Sequence, residues 1–221
     1  MVSGRTAVEI DAVATEIGGL AVRADHADRA SVDALVERLR SERARIDVLV
    51  NNAGIAESTP LHKVADELWD RTMEVNVTSA FRLCRALVPA MIEAGWGRVI
   101  NIASNAGVSG YRYSTAYCAS KHAMVGMTRA LAIDLATTGV TINAVCPGWV
   151  DTRMAEEAVA RIAGKTGRSP DQARAALESM SPQNRMIQPE EVAHVVTMLC
   201  DDLSRGIHGQ VILVDGGAVL K

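Results

Sequence analysis

Three residues near the middle of the chain have types and a spacing that suit acid/base chemistry. They are Ser104, Tyr117 and Lys121, within the stretch SNAGVSGYRYSTAYCASK. If Ser114 caps a helix that runs through Tyr117 and Lys121, the phenol and the ammonium share one face of that helix. A neighbouring ammonium favours the phenolate, which lowers a tyrosine pKa from its ordinary value of about 10. The predicted chemistry is proton exchange at an oxygen held by the Ser104 hydroxyl, as in carbonyl reduction or alcohol oxidation.

A tyrosine and a lysine four residues apart usually form only a solvated pair, so this spacing alone is weak evidence. Three further motifs accompany it: NNAG at 51–54, VNV around Asn76, and NAVCPG at 143–148 followed by Thr152. Together with YxxxK and the upstream serine, they resemble the classical short-chain dehydrogenase/reductase family. The motifs occur in the family's order, and the resemblance extends over residues 3–217.

This resemblance implies a fold, a cofactor and a set of site residues. The fold is α/β, a doubly wound parallel sheet of the Rossmann type. The implied catalytic residues are Ser104, Tyr117 and Lys121, with Asn76 holding a water that links the lysine to solvent. The residues implied to contact a nicotinamide dinucleotide are Arg5, Asp25, His26, Asn51, Ala53, Gly54, Tyr117, Lys121, Pro147, Gly148, Val150 and Thr152.

Two of these positions have a purely structural alternative. Asp25 follows a predicted strand; its family counterpart bonds adenine, but an aspartate there also suits a turn or helix cap. Asn76 lies between Val75 and Val77 in a predicted helical stretch, where an amide is costly unless it is hydrogen-bonded. It either belongs to the proton relay or marks a helix kink with its amide satisfied locally. We favour the relay because the other motifs accompany it.

Alternating helices and strands must bring these residues to one edge of a sheet. Apolar periodicity predicts helices over 6–17, 31–43, 66–94 and 190–200. Ser31 is the predicted cap of the second helix. The predicted strands are 20–24, 46–50, 98–103, 140–145 and 210–214. We expect a single domain, 1–221, in which 149–188 form a helical excursion on the substrate side. The basic residues of this excursion suit the phosphate of a thioester carrier, but interleaved acidic residues favour a solvated lid.

The phosphate-binding segment with which the family's fold begins has no counterpart in this sequence. The family begins with a strand, a TGxxxGxG loop, a helix and a second strand, whereas residues 1–5 resemble only the end of that second strand. We therefore expect an amino-terminally truncated fold with weakened cofactor binding. Strand 46–50 becomes an exposed apolar edge, and strand 20–24 loses its neighbour. Rearranged pairing or a partner chain would have to cover the edge.

Three hypotheses account for this missing segment. In the one we favour, Met1 is internal to an enzyme that is longer by about thirty to forty residues, the size of a βαβ unit. In the second, the chain is a short form with impaired cofactor binding that acts as a non-catalytic binding or interaction protein. In the third, it is an active enzyme with a rearranged sheet.

Composition restricts the partners and the location. The chain has 221 residues, of which 48% are apolar and 22% charged, as expected for one globular core. A net charge of −3 with interspersed charges argues against nucleic-acid binding. No run of about 18 apolar residues and no signal peptide is present, which predicts a cytoplasmic protein that does not bind membranes. Four scattered cysteines predict reduced thiols and no metal site.

The cofactor type, the substrate and the assembly are predicted from a few positions. Arg5 stands where NAD-preferring relatives usually carry an aspartate, so NADP is preferred, with NAD possible. The segment SPQNRMIQPEEVA resembles enzymes that act on 3-oxoacyl or 3-hydroxyacyl thioesters of coenzyme A or a carrier protein. Ala106 argues against the subgroup that oxidises free 3-hydroxybutyrate. Relatives are commonly tetramers, so we expect a homo-oligomer (tetramer or dimer). Four apolar positions suit such an interface, but they suit an internal core equally well: Phe81, Leu83, Leu87 and Leu131.

Overall fold

The strands form two separate parallel sheets in the computed structural model, which describes residues 1–42 and 45–219. The smaller sheet pairs β1 (Val2–Gly4) with β2 (Ala21–Arg23). The larger one has the order β3-β4-β5-β6. Its strands are β3 (Val48–Asn51), β4 (Gly97–Ile102), β5 (Val140–Pro147) and β6 (Val211–Val214), each parallel to its neighbour.

Helices cover both faces of the larger sheet. One apolar cluster packs three of them against one face through Met91 and Ile142, and a second cluster packs the last helix on the opposite face through Leu199. β5 is buried along its whole length, as a strand covered on both faces must be. The predicted doubly wound α/β fold is therefore confirmed. Its helices are α1 (Ala7–Glu16), α2 (Arg29–Ser41), α3 (Asp66–Met73), α4 (Ser79–Glu93), α5 (Thr115–Leu135), α6 (Arg153–Thr166), α7 (Pro170–Glu178) and α8 (Pro189–Cys200).

One predicted helix cap is wrong and a second is correct in position only, although both helices are present. Asp28 caps α2 by accepting a hydrogen bond from Ala30 N, whereas the Ser31 hydroxyl accepts one from Asp25 N. Ser114 occupies the capping position of α5 without any side-chain bond to the helix. The predicted end of α2 at position 43 lies outside the described residues.

The strand pairing near the amino terminus differs from the prediction for β2 and agrees with it for β3. β2 does have a neighbour, because Ala21–Arg23 pairs in register with Val2–Gly4. Over the described ranges β3 pairs only with β4, and Val50 on β3 remains 40% exposed. The expected open edge of the NNAG strand is therefore confirmed.

The stretch from α3 to α4 forms the centre of the larger helical layer. It is interrupted by a π-helical segment, Glu74–Thr78. The range Asp66–Glu93 is long and apolar enough to cross a membrane, but half of its apolar window is buried inside the protein, and core helices of water-soluble proteins meet the same test. Leu83 and Leu87 lie in the core, whereas Phe81 is 44% exposed. The core alternative is therefore correct for both leucines.

The excursion after β5 is helical, with α6 and α7 as its two helices. Gly167, at φ 71°, ends α6 in the left-handed region that favours glycine. Ser169 and Gln172 form a reciprocal capping box that begins α7. Ala158 and Leu177 pack the two helices together in a small apolar cluster of their own.

Candidate active site

Ser104, Tyr117 and Lys121 meet near the carboxyl end of β4. Ser104 follows this strand and begins a short 3-10 turn, in which its hydroxyl oxygen accepts a hydrogen bond from Ala106 N at 3.1 Å. Tyr117 lies in the first turn of α5 and Lys121 one turn later. Side chains at the carboxyl ends of parallel strands share one edge of the sheet, where open α/β folds bind their ligands.

The Tyr117 ring is half-buried beside Ser104. Burial raises the pKa of its phenol, and a side-chain hydrogen bond with Ser104 opposes this rise only in part. The expected lowering by Lys121 is not found, since Nζ lies 5.7 Å from the ring centroid and donates to Ile102 O at 2.8 Å. The phenol is therefore protonated at neutral pH and is positioned as a proton donor.

Lys121 is only 4% exposed. Burial disfavours the ammonium and lowers its pKa from 10.5 to about 8, with a smaller opposing effect from Cys146. A lysine with such a pKa exchanges protons near neutral pH, which an exposed lysine does not do.

Asn76 is fully buried in the π-helical segment. Its Oδ1 accepts from Ile55 N at 2.8 Å, and its Nδ2 donates to Ile55 O and to Ser120 Oγ, both at 3.0 Å. Ser120 in turn donates to Tyr117 O at 2.7 Å. The amide is thus satisfied by distant groups rather than within its own helix, and it joins the loop after NNAG to α5. Sequence reasoning missed Ser120, whose only signal is its place directly before Lys121.

The NNAG loop leaves room for a ligand close to these groups. Asn51, at the end of β3, donates to Asn101 Oδ1 on β4 at 2.8 Å, and its own Oδ1 is buried with no partner within the described ranges. A Cβ at Gly54 would lie 3.5 Å from both Lys121 Nζ and Asn76 Oδ1. Ala53 precedes this glycine, and the absence of a side chain at Gly54 keeps the backbone open to close approach.

Three of the predicted cofactor contacts, Arg5, Asp25 and His26, lie just after the ends of β1 and β2. Asp25 Oδ1 accepts from Ala27 N at 2.9 Å, so the turn-cap alternative is present. His26 Nδ1 is buried and has no partner in the described part of the chain. Burial lowers the pKa of this imidazole, with Asp25 opposing. Arg5, exposed just after β1, and the His26 nitrogen are therefore free to meet polar groups of a ligand.

The turn after β5 contacts the serine from the other side. Pro147 O lies 3.5 Å from Ser104 Oγ. Val150 forms a single bridge with residue 187, and the Thr152 hydroxyl donates to Val150 O at 3.3 Å as α6 begins. This turn therefore places Pro147 beside Ser104 and Gly148 beside Asp215, while Val150 and Thr152 lie at the start of the excursion.

A small cavity lies beside Asn105, the residue that follows Ser104. Its volume is about 10 Å³, and its lining includes Tyr111, Trp149, Met180 and Arg185. This volume is about that needed by one water.

Several basic residues of the excursion are already paired with carboxylates. Arg153 pairs with Glu9, Arg174 with Asp151, and Arg185 with Glu191. In the described ranges, no carboxylate lies within ion-pair distance of three other basic residues, which are Arg161, Lys165 and Arg168. No cluster of three or more metal-ligating side chains occurs among the described residues.

Comparisons with known proteins agree with this geometry. The family model described as Enoyl-(Acyl carrier protein) reductase matches residues 2–219. The chain is 35% identical over 199 residues to D-beta-hydroxybutyrate dehydrogenase of Cupriavidus necator, covering 90% of this chain and 77% of the relative. It is 36% identical over 216 residues to 3-oxoacyl-[acyl-carrier-protein] reductase FabG of Thermotoga maritima, covering 96% and 83%. A crystal structure of a variant actinorhodin polyketide ketoreductase with NADPH matches with a TM-score of 0.93 at 35% identity, covering 98% of this chain and 86% of that one.

Proposed function

The chain belongs to the classical short-chain dehydrogenase/reductase family, whose members are oxidoreductases of alcohol and ketone groups, and we propose that it reduces the ketone of a 3-oxoacyl thioester with NADPH. The reverse oxidation of a 3-hydroxyacyl thioester uses the same groups. The observation that carries this proposal is the meeting of Tyr117, Ser104 and Lys121 at one sheet edge, with the phenol held in its protonated form.

The proton step follows from the burial of these side chains. Tyr117 donates its proton to the carbonyl oxygen, which the Ser104 hydroxyl holds in place. Lys121, with a pKa of about 8, then supplies a proton to the phenolate. The position of a Cβ at Gly54, 3.5 Å from both Lys121 Nζ and Asn76 Oδ1, indicates that these two groups border the same small space. This neighbourhood supports the predicted relay through Asn76.

The hydride in this reaction comes from the nicotinamide cofactor when it is bound. We assign NADP rather than NAD because an exposed guanidinium follows β1, where it suits a 2′-phosphate, and because the matching ketoreductase structure carries NADPH. The residues that would hold the cofactor are Arg5, Asp25, His26, Asn51, Ala53, Gly54, Tyr117, Lys121, Pro147, Gly148, Val150 and Thr152.

The thioester assignment rests on the excursion and on the named relatives. The FabG relative acts on acyl-carrier-protein thioesters by its name, and a further relative from Thauera aromatica, 37% identical, is named for a succinyl-CoA derivative. Arg161, Lys165 and Arg168 provide positive charge without an ion-pair partner in the described ranges, which suits a carrier phosphate. Replacing all three with glutamine should raise KM for acetoacetyl-CoA while leaving KM for a small neutral ketone unchanged.

We also propose a cytoplasmic homo-oligomer, a tetramer or a dimer. Phe81 on α4 is 44% exposed and Ile133 on α5 is 80% exposed, so both long helices present apolar surface. Sedimentation velocity of the parent and of a Phe81→Ser, Ile133→Ser variant tests this assembly. A parent that sediments as a monomer would contradict it.

The experiment for the activity compares two thioesters, acetoacetyl-CoA and crotonyl-CoA, in an NADPH absorbance assay. Turnover of acetoacetyl-CoA supports ketone reduction, whereas turnover of crotonyl-CoA alone points to the enoyl reduction for which the family model is named. Tyr117→Phe should abolish turnover, and Tyr113→Phe, at an exposed tyrosine, serves as the matched control. Full turnover by Tyr117→Phe would refute the assignment.

The alternative of a non-catalytic binding protein predicts a different result. It requires that NADPH fluorescence show no saturation on titration with the chain. The intact geometry of Ser104, Tyr117 and Lys121 favours the enzyme instead.

A further inference from the structure

Asn105 and Asp215 are two buried polar residues beside the catalytic serine that the proton step above does not use. Asn105 directly follows Ser104, and Asp215 follows the last strand, β6. They are 6% and 4% exposed. A buried carboxylate is costly unless it is well hydrogen-bonded, so its partners indicate what it does.

The Asp215 carboxylate joins the carboxyl-terminal turn to the active site. Its Oδ1 accepts from Gly217 N at 3.1 Å, and its Oδ2 accepts from Val219 N at 3.0 Å and from Asn105 Nδ2 at 3.4 Å. A Cβ on Gly148 would lie 2.9 Å from Asp215 Cβ, so the turn after β5 is pressed against this residue. The carboxylate therefore has little freedom to move away from Asn105.

The chemistry of these groups fixes the direction of every hydrogen bond between Asp215 and Ser104. An ionised carboxylate only accepts, so the end of the Asn105 amide that faces it must be the NH2 group. The other end, Oδ1, then faces Ser104 Oγ at 3.4 Å and can only accept from it, as Pro147 O also does at 3.5 Å. The Ser104 oxygen is left as an acceptor, for Ala106 N at 3.1 Å and for the Tyr117 hydroxyl.

We propose that Asp215 is a positioning residue, which orients the Asn105 amide and thereby turns the Ser104 hydroxyl so that its oxygen faces the Tyr117 proton. The inference rests on the proposed function, because it is the reacting carbonyl oxygen that takes this proton. Both bonds of the Ser104 hydroxyl proton are long, 3.4 Å to Asn105 Oδ1 and 3.5 Å to Pro147 O. A hydroxyl held this weakly turns readily to a ketone oxygen when one arrives.

Tyr111 adds a further contact to the same amide. Its pKa is raised by burial and then by the charge of Asp215, and a side-chain hydrogen bond to Asn105 opposes this rise in part. The Asn105 amide is thus held by Asp215, Ser104 and Tyr111 together. Tyr111 and Asn105 also line the same small cavity.

A double-mutant cycle separates this role from simple capping of the turn. Asn105→Ala removes the link but leaves the turn around Asp215 intact, and Asp215→Asn replaces an acceptor with a donor. Each substitution alone should lower kcat by roughly three- to tenfold, the effect of one hydrogen bond, with KM nearly unchanged. The double variant should be no slower than Asn105→Ala. If the two effects multiply, Asp215 acts independently of Asn105 and the proposal fails.

A spectroscopic measurement decides the question even if the parent shows no turnover. In the parent, the NMR signals of the two Asn105 Nδ2 protons should be further apart than in an unbonded primary amide, because only one of them is bonded to the carboxylate. This separation should shrink in Asp215→Asn and stay unchanged in Asp201→Asn. Asp201 is the matched control, since its exposed carboxylate caps Leu203 N at 2.7 Å in another turn. An Asn105 spectrum unchanged in Asp215→Asn overturns the inference.

Discussion

Replacing Lys121 with methionine should stabilise the protein while removing its activity. Lys121 is 4% exposed, and its pKa falls from 10.5 to about 8 on burial. At about 1.4 kcal/mol for each unit by which the pKa falls, burial of the ammonium lowers the free energy of unfolding by about 3 kcal/mol near neutral pH. The methionine cannot form the hydrogen bond that Lys121 Nζ donates to Ile102 O at 2.8 Å, and this loss destabilises the variant by about 1 kcal/mol. The net stabilisation of Lys121→Met is therefore about 2 kcal/mol, or roughly 4–8 °C in Tm for a domain of this size.

The pH dependence of this effect has a definite sign. Below the folded pKa of about 8, both the folded and the unfolded lysine are charged, and the cost of burial is complete. As the pH rises from about 8 to 10.5, the folded lysine is already neutral, whereas the unfolded one still binds a proton. The parent therefore gains stability relative to Lys121→Met over this window, and the advantage of the variant disappears above it.

Urea unfolding followed by tryptophan fluorescence measures the difference at each pH. Lys63→Met is the matched control, because Lys63 is exposed and its replacement should change the free energy of unfolding by less than about 0.5 kcal/mol. A Lys121→Met variant that is less stable than the parent by the same amount at neutral and at alkaline pH would refute the reasoning. It would mean that the fold stabilises the ammonium.

Three further predictions follow from the same structure. Gly148→Ala should raise KM for NADPH and lower Tm, because the new Cβ would lie 2.9 Å from Asp215 Cβ; cofactor titration and thermal unfolding check this. Asp202→Ala should destabilise the fold by about 1–3 kcal/mol, measured by urea unfolding, because Arg98 is 2% exposed and would lose its carboxylate partner at 3.2 Å. The kcat/KM for ketone reduction should fall as the pH rises above about 8, where Lys121 loses its proton; a profile that stays flat to pH 10 or so would contradict that role.

Much of the fold was predictable because its signals are local. The apolar runs of β4 and β5 and the periodic helices predicted a doubly wound sheet, and the absence of a TGxxxGxG segment in the sequence predicted the open edge of β3. Cap assignments were less successful, because Asp28 and Ser31 are equally suited to cap a helix. Only the path of the backbone decides which of them meets a free N–H group.

The candidate site was predictable as a set of residues but not in its network of bonds. The spacing of Tyr117 and Lys121 and the position of Ser104 after a strand indicated the chemistry. The partners of Asn76 could not be inferred, since Ile55 and Ser120 lie 21 and 44 residues away. Asp215, 110 residues from Asn105, has no sequence signal beyond its place before two glycines.

The sequence by itself determined which groups exchange the proton, because reactivity depends on residue type and on a spacing that one helix turn converts into proximity. The tertiary structure decided how those groups behave. It raised the pKa of Tyr117 where the sequence predicted a lowering, and it brought the pKa of Lys121 to about 8. The physical reason is that a pKa depends on solvent exclusion and on every neighbouring charge, and both are set by segments that are distant in the chain.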